Sequence, residues 1–166
     1  KHGRFDDERG WLSNINASDF VVENPDRFVH SFVVHSVKNT LRGFHFQEHP
    51  KIQEKIVYVL QGTILDVSFC LSDSDVRPKL HSSVLGTEHE YDTAIIASQM
   101  AHAYLVLSET ATLLYLNSAP YDAGLAKVIN PLDTSIQFDW GIPHEKLVVS
   151  MRDRQGMSLV TYRGSI

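Results

Sequence analysis

The chain has 166 residues, 43% of them hydrophobic, with a formal net charge of −5 at pH 7 and a single cysteine. This length is most simply one domain over residues 1–166, and the lone cysteine excludes an intrachain disulfide and suits a reducing compartment such as the cytoplasm. The acidic balance argues against a general nucleic-acid binder, and because no apolar run approaches ~20 residues and no signal-peptide pattern opens the chain, we expect no membrane association.

The first half of the chain predicts short strands around one central stretch. Residues 16–25 predict a short helix or turn that Ser18 caps and Pro25 ends. Residues 28–37 (FVHSFVVHSV) predict a strand. The runs 55–60 (KIVYVL) and 63–71 (TILDVSFCL) are separated only by Gln61-Gly62 and therefore predict a β-hairpin.

The second half continues the same pattern. Residues 72–79 are polar and predict a loop, and residues 80–85 and 93–97 predict strands. Residues 101–107 and 112–117 predict a second hairpin, residues 121–132 an irregular segment, and residues 150–156 a polar turn. Many short strands without a long amphipathic helix indicate an all-β sandwich, jelly roll or barrel.

Several polar side chains interrupt the apolar strands of the central stretch. Arg42, His45 and Gln47 lie in LRGFHFQ, Lys55 opens KIVYVL, and Asp66 lies inside TILDVSFCL. Polar groups on strands that bury one face cost free energy unless they are paired or functional. Taken alone, Lys55 also fits a strand-end lysine whose ammonium reaches water. Together, these residues predict a site inside the β-structure.

The nine histidines of the chain invite comparison with a metal centre. A metal-binding jelly roll usually takes two histidines from one strand, spaced by one residue, with a carboxylate and a third histidine. Here the residue two positions after His45 is Gln47, which is a poor ligand for transition metals. We therefore expect no metal, and a metal-dependent cupin enzyme using His45 and His102 stays as an alternative. No Gly-rich phosphate loop or serine nucleophile elbow is present, so we expect no cofactor and no serine hydrolase.

The run LRGFHFQ and the lysine segment after it also carry a resemblance to a known family. From about Phe5 to Asp153 the chain resembles the dTDP-4-dehydrorhamnose 3,5-epimerases, which are cupin-like jelly-roll enzymes of nucleotide-sugar metabolism. The resemblance implies a cupin-like jelly-roll β-sandwich or barrel with short flanking helices. It also implies a homodimer that needs no cofactor and acts on a nucleoside-diphosphate sugar, with a dTDP-sugar as the first expectation.

Four catalytic roles follow from the resemblance alone. NTLRGFHFQ is similar to the motif that contains the catalytic base, here His45, and VSMRD to the turn whose aspartate supports that base, here Asp153. IQEKIVYVLQGTILDVS resembles the segment with the active-site lysine, here Lys55. LLYLNSAPY resembles the strand with the catalytic tyrosine, here Tyr115.

The resemblance also implies substrate contacts. DDERG and LRGFHFQ are similar to segments with phosphate-binding arginines, here Arg9 and Arg42, and AHAYLVLS resembles the strand with a substrate-contacting histidine. The full set of implied substrate-binding residues is Arg9, Arg42, Gln47, His102, Tyr121 and Asp66. The chain departs from the family pattern at residues 97–103 and 129–131, so the particular nucleotide sugar stays open. A catalytically silent sugar-nucleotide-binding module is a further alternative.

Overall fold

The computed structural model describes residues 4–7, 10–13, 25–73, 75 and 77–165, with side chains from residue 26 onward. Arg9 and residues 14–24 lie outside the described residues. The predicted phosphate contact of Arg9 and the predicted helix or turn therefore stay predictions. No helix among the described ranges is long and apolar enough to cross a membrane.

Strands make up most of the described chain. They are β1 (Arg4–Asp7), β2 (Gly10–Ser13), β3 (His30–Val37), β4 (Leu41–Gln47), β5 (Lys55–Gln61), β6 (Thr63–Cys70), β7 (Leu80–Gly86), β8 (Thr93–Ile96), β9 (Met100–Val106), β10 (Thr110–Asn117) and β11 (Ala126–Val128). Two short helices, α1 (Met151–Arg154) and α2 (Leu159–Arg163), follow the last strand.

Two antiparallel sheets form the body of the fold. One has the strand order β3-β10-β5-β8 and the other β11-β4-β9-β6-β7, while β1 and β2 pair with each other. Consecutive strands mostly alternate between the two large sheets, as in a jelly roll. The predictions of an all-β architecture and of short flanking helices are confirmed.

Neither predicted hairpin forms, because the two strands of each pair lie in different sheets. β5 pairs with β10 and β8, whereas β6 pairs with β7 and β9. Gly62 joins β5 to β6 with φ +85°, and a Cβ atom there would lie 2.2 Å from the Thr110 carbonyl oxygen. The first five residues of β5 are all buried, which fits a central strand with neighbours on both edges. A short break between apolar runs therefore marks a crossing from one sheet to the other.

The C-terminal segment covers one sheet and supplies part of its core. Apolar side chains of β4, β6 and β9 pack with Ile129, Trp140 and Leu159 in one buried cluster. A second cluster joins side chains of both large sheets. The segment that was predicted to be a polar turn at residues 150–156 contains α1, and the segment predicted to be irregular at residues 121–132 contains β11.

Candidate active site

A cavity of about 190 Å³ lies between the two sheets and is lined by side chains from β3, β4, β5, β9, β10 and β11. Most of the predicted site residues border it: Arg42, His45, Gln47, Lys55, His102, Tyr115 and Tyr121. Asp66 and Asp153 stand behind this lining, each hydrogen-bonded to one of its histidines. Of the predicted set, only Arg9 lies outside the described residues.

An irregularity in β4 brings Arg42 and His45 to the same cavity. Residues three apart on a regular strand face opposite sides of the sheet. Here Arg42 pairs with Tyr104 and His45 with His102, so the register against β9 shifts by one residue between the two pairs. Gly43 lies within this shift at φ +136°, where a Cβ atom would meet the Ala103 Cβ at 2.3 Å. The glycine therefore lets the strands approach closely enough to place both polar side chains at the cavity.

His45 is paired with a buried carboxylate. Its Nε2 lies 2.8 Å from Asp153 Oδ1, and the Asp153 side chain is only 4% exposed. Asp153 occupies the first turn of α1, where the Ser150 hydroxyl accepts a hydrogen bond from its backbone N–H. The helix cap thus fixes the carboxylate behind the imidazole.

The pKa values of this pair favour a neutral imidazole beside an ionised carboxylate. Burial lowers the pKa of His45 below 6.5 and outweighs the opposing hydrogen bond and charge of Asp153. Burial alone raises the pKa of Asp153, but the hydrogen bond and charge of His45 and the Gly43 N–H bring it below its usual value. An ionised carboxylate only accepts hydrogen bonds, so Nε2 of His45 carries the ring proton. The lone pair that a base requires is then on Nδ1.

Lys55 is a buried cation. Its residue is 6% exposed, and its Nζ donates a hydrogen bond of 2.9 Å to the main-chain carbonyl of His45. Burial lowers the pKa of Lys55 to about 8, although the charge of Asp66 opposes this shift. The alternative interpretation, a strand-end lysine whose ammonium reaches water, is wrong for this position. The β-sheet buries the first residue of β5 instead of leaving it at an open end.

A second histidine–carboxylate pair lies beside the first. His102 Nε2 is 2.6 Å from Asp66 Oδ2, and both side chains are nearly completely buried. The ring of His102 lies edge-on to that of Tyr115, with centroids 6.2 Å apart. His102 is also directly opposite His45 across β4 and β9. The two histidines are therefore neighbours, each held by its own aspartate.

Two buried tyrosines, Tyr104 and Tyr115, line the cavity. The ring of Tyr115 stacks on Phe32 of β3 with centroids 4.9 Å apart, and burial raises its pKa well above the usual value. The hydroxyl of Tyr104 lies 3.0 Å from the Ser36 hydroxyl, which also accepts a hydrogen bond from Arg42 Nε. Burial raises the pKa of Tyr104 as well. Both phenols therefore remain protonated near neutral pH.

Gln47 contacts the backbone of two loops. Its amide nitrogen donates to the carbonyl oxygens of Lys51 at 2.5 Å and Pro120 at 3.1 Å, and its amide oxygen accepts from the Asp122 N–H at 2.9 Å. Tyr121 lies between these last two residues, is 54% exposed and borders the cavity. Gln47 thus fixes the loop that carries Tyr121.

Some lining residues were not among the predicted site residues, chief among them Phe32, Gln53, Tyr104, Asn117 and Arg152. Asn117 follows Tyr115 by two positions on the same strand, so period-2 alternation could have identified it. Phe32 and Arg152 reach the cavity only through the packing of β3 and α1 around it. Within the described part of the chain, no group of three or more His, Cys, Asp or Glu residues could hold a metal ion.

Comparison with known proteins identifies the family. A family model described as dTDP-4-dehydrorhamnose 3,5-epimerase matches residues 1–161. The chain belongs to this family. Its members are isomerases, and the predicted family resemblance and enzyme class are confirmed.

Individual relatives of this epimerase family agree with the assignment. The dTDP-4-dehydrorhamnose 3,5-epimerase of Escherichia coli (strain K12) is 30% identical over 159 residues, which cover 93% of this chain and 85% of that protein. The enzyme of the same name from Methanothermobacter thermautotrophicus is 32% identical over 158 residues, which cover 90% of this chain and 82% of that protein.

Solved structures of epimerases share the fold. A dTDP-6-deoxy-D-glucose-3,5-epimerase from Legionella pneumophila, in complex with dTDP-4-keto-L-rhamnose, has a TM-score of 0.80 at 27% identity, over 96% of this chain and 85% of that one. A 4-keto-6-deoxy sugar epimerase from the novobiocin gene cluster of Streptomyces spheroides has a TM-score of 0.82 at 25% identity, over 99% and 83%. The cupin-like jelly-roll prediction is confirmed.

Proposed function

We propose that this protein epimerises a nucleotide-linked 4-keto-6-deoxy sugar at carbon 3, carbon 5 or both, with a dTDP-sugar as the first expectation. The observation that carries the proposal is the His45–Asp153 pair at the wall of a cavity that Lys55 and Tyr115 also line. Inverting a carbon next to a ketone requires removal of its proton and return of a proton to the opposite face. A base, a cation and an acid in one cavity can supply these steps.

In the first step, Nδ1 of His45 takes a proton from the carbon next to the ketone. The C–H bond breaks, its electron pair forms the new C=C bond, and the electron pair of the C=O π bond moves onto the ketone oxygen. The ionised Asp153 stabilises the imidazolium that forms, as the aspartate of a catalytic triad does. The ammonium of Lys55 stabilises the negative charge on the oxygen of the enolate, and it does so most strongly in a buried site.

In the second step, the hydroxyl of Tyr115 donates its proton to the carbon from the opposite face. The C–H bond re-forms, the C=O bond returns, and the inverted sugar leaves. His45 then loses its proton to solvent, and the Tyr115 phenolate regains one. Because burial raises the pKa of Tyr115, its phenol stays protonated until it transfers the proton to the enolate carbon.

The arginines would hold the diphosphate and thereby fix the sugar between base and acid. Arg42 lines the cavity and its Nε donates a hydrogen bond to the Ser36 hydroxyl, and Arg9 would act with it. Tyr121 and Arg152, whose side chains are 3.4 Å apart at the rim, would contact the nucleotide. A homologue from Bacillus anthracis has been solved with TDP and pyrophosphate bound, which supports this ligand class.

The remaining proposals concern organisation and setting. We propose a single epimerase domain over residues 1–166 that works as a homodimer in the cytoplasm. The single cysteine suits this compartment, because its reducing conditions keep thiols unpaired. The reaction would supply deoxysugar precursors of polysaccharides.

The proposal is tested by incubation with several 4-keto-6-deoxy nucleotide sugars in deuterated water. NMR should show deuterium at carbon 3, carbon 5 or both, together with inversion at those carbons. Deuterium uptake would name both the substrate and the carbons attacked. Tight binding of a nucleotide sugar without exchange would instead indicate a silent binding module.

A further inference from the structure

Asn117 is a polar residue in the cavity wall that the proposed mechanism does not use. It is 3% exposed, borders the cavity and lies on β10 two positions after Tyr115, so both side chains face the same side of the sheet. Its Oδ1 is buried and has no hydrogen-bond partner in the described part of the chain. Most buried polar atoms have a partner, so one without a partner at a cavity indicates that a ligand or water supplies it.

The strand register gives Asn117 a specific neighbour. Asn117 is directly opposite Lys55 of β5, and both residues line the cavity. Directly opposed side chains have Cβ atoms roughly 4.5–5.5 Å apart. The two side chains therefore enter the cavity from adjacent positions of the same sheet, which makes the Asn117 amide a candidate contact for the substituents next to a ligand atom that Lys55 binds.

We propose that Asn117 is a specificity-determining residue that binds the hydroxyl group at carbon 3 of the sugar. The inference rests on the proposed function, in which Lys55 binds the oxygen at carbon 4. The ring neighbours of carbon 4 are carbons 3 and 5. Carbon 3 carries a hydroxyl group, and carbon 5 carries an apolar methyl group, so only the substituent of carbon 3 can bond an amide.

The chemistry of the two groups matches. An asparagine side chain offers one acceptor and two donors, and a half-turn about its Cβ–Cγ bond exchanges them. A sugar hydroxyl both donates and accepts, so it can bond either end of the amide. A substrate without this hydroxyl leaves the amide buried and unpaired, and sites built around such a bond reject the analogue.

The experiment compares three sugars on the intact protein: the preferred 4-keto-6-deoxy nucleotide sugar and its 3-deoxy and 2-deoxy analogues. The readout is kcat/KM for deuterium exchange next to the ketone, followed by NMR. Asn117→Leu keeps a similar side-chain size without polar atoms, and Asn117→Ala is a second variant if the first folds poorly. Val34→Ala, another change in the cavity wall, is the matched control.

We expect the parent protein to prefer the 3-hydroxy sugar over the 3-deoxy analogue by roughly tenfold to a hundredfold. In both Asn117 variants this preference for the 3-hydroxy sugar should fall below about threefold. The preference for the parent sugar over its 2-deoxy analogue should stay as it is in the parent protein. Val34→Ala should leave both ratios unchanged. Differences in the intrinsic acidity of the analogues affect every variant equally and cancel in this comparison.

Two results overturn the inference while leaving the proposed function intact. One is an unchanged preference for the 3-hydroxy sugar in the Asn117 variants, and the other is loss of the 2-deoxy ratio instead. A parent protein that exchanges protons on none of these sugars overturns the proposed function and this inference with it. Calorimetric binding of the nucleoside diphosphate to each variant shows that it is folded.

Discussion

The ammonium of Lys55 donates a hydrogen bond of 2.9 Å to the main-chain carbonyl oxygen of His45. The two residues belong to strands of opposite sheets, β5 and β4, so the bond crosses the interior of the fold. It places the proposed cation against the backbone of the proposed base. Any movement of one strand would therefore disturb both groups at once.

The pH profile of kcat/KM should be bell-shaped. His45 must be neutral to accept a proton, so activity rises with pH through its pKa, which burial sets below 6.5. Lys55 must be charged to stabilise the enolate, so activity falls as pH rises through about 8. Because kcat/KM reports the free enzyme, these limbs belong to the unliganded site.

The Lys55→Arg variant tests the alkaline limb. Arginine stays charged across this range, so the fall near pH 8 should disappear even though the larger group lowers the rate. If the alkaline limb keeps its position in Lys55→Arg, another group is responsible for it.

The substitution His45→Ala should abolish turnover and leave nucleotide binding intact. Loss of a general base typically lowers the rate by about 10²–10⁴-fold, whereas the diphosphate contact that we propose for Arg42 would remain. Arg42→Ala should do the reverse and weaken binding more than it slows the chemical step. Calorimetric titration with the nucleoside diphosphate, alongside single-turnover rates, separates the two effects. Loss of binding in His45→Ala would mean that His45 has a structural role.

The Tyr115→Phe substitution should separate deprotonation from inversion. The ring and its stacking on Phe32 remain, while the hydroxyl that we propose as the proton donor is lost. His45, Asp153 and Lys55 would still form the enolate, so protons should exchange with deuterated solvent on the His45 side while inversion becomes much slower. NMR follows both processes in one sample. Inversion near the parent rate would assign the acid to Tyr104, Tyr121 or water instead.

The substitution Gln47→Leu should raise KM more than it lowers kcat. Its amide bonds the backbone of the Tyr121 loop, so its loss should loosen the cavity rim and leave the base and acid in place. In the Gln47→Leu background, Tyr121→Phe should have less effect on KM than in the parent. Gln61→Leu, the same substitution at an exposed position at the far end of β5, is the control and should alter KM little. A large fall in kcat with unchanged KM would place Gln47 against the reacting sugar.

The exposed edge of the four-stranded sheet should mediate a homodimer. β3 is the edge strand of the described sheet. Its residues Val33 and Val37 are 60% and 53% exposed, and Val29, directly before the strand, is 64% exposed. Apolar edge strands of this kind associate unless they are covered. Light scattering at micromolar concentration should give the dimer mass, and Val33→Lys should shift it toward the monomer. Val160→Lys, at a similarly exposed position on α2, should leave the dimer mass unchanged. A monomeric parent protein would contradict the prediction.

The sequence by itself determined the class of fold and most of the site. Alternation of apolar residues indicates which side chains a strand buries. The strands, and the polar side chains within their apolar runs, could therefore be located. LRGFHFQ and the Lys55 segment are specific enough to identify the family. Their order along the chain also pointed to His45, Tyr115 and Asp153, residues that the fold brings to one cavity or directly behind it.

Only the tertiary structure decided how the strands pair. A short turn between two apolar strands satisfies local preferences equally well in a hairpin and in a crossing between sheets. The choice depends on which edges other strands occupy, and β5 already has β10 and β8 on its two edges. Sequence patterns near Gly62 contain no information about those distant neighbours.

The tertiary structure also decided the environment of each group. The shift at Gly43 brings Arg42 and His45 to one cavity although alternation separates them, because close contact with β9 distorts the strand. Burial by the second sheet lowers the pKa of Lys55 to about 8 and leaves Oδ1 of Asn117 without a partner in the described part of the chain. Desolvation comes from atoms that are remote in sequence, so these properties arise only when the two sheets pack together.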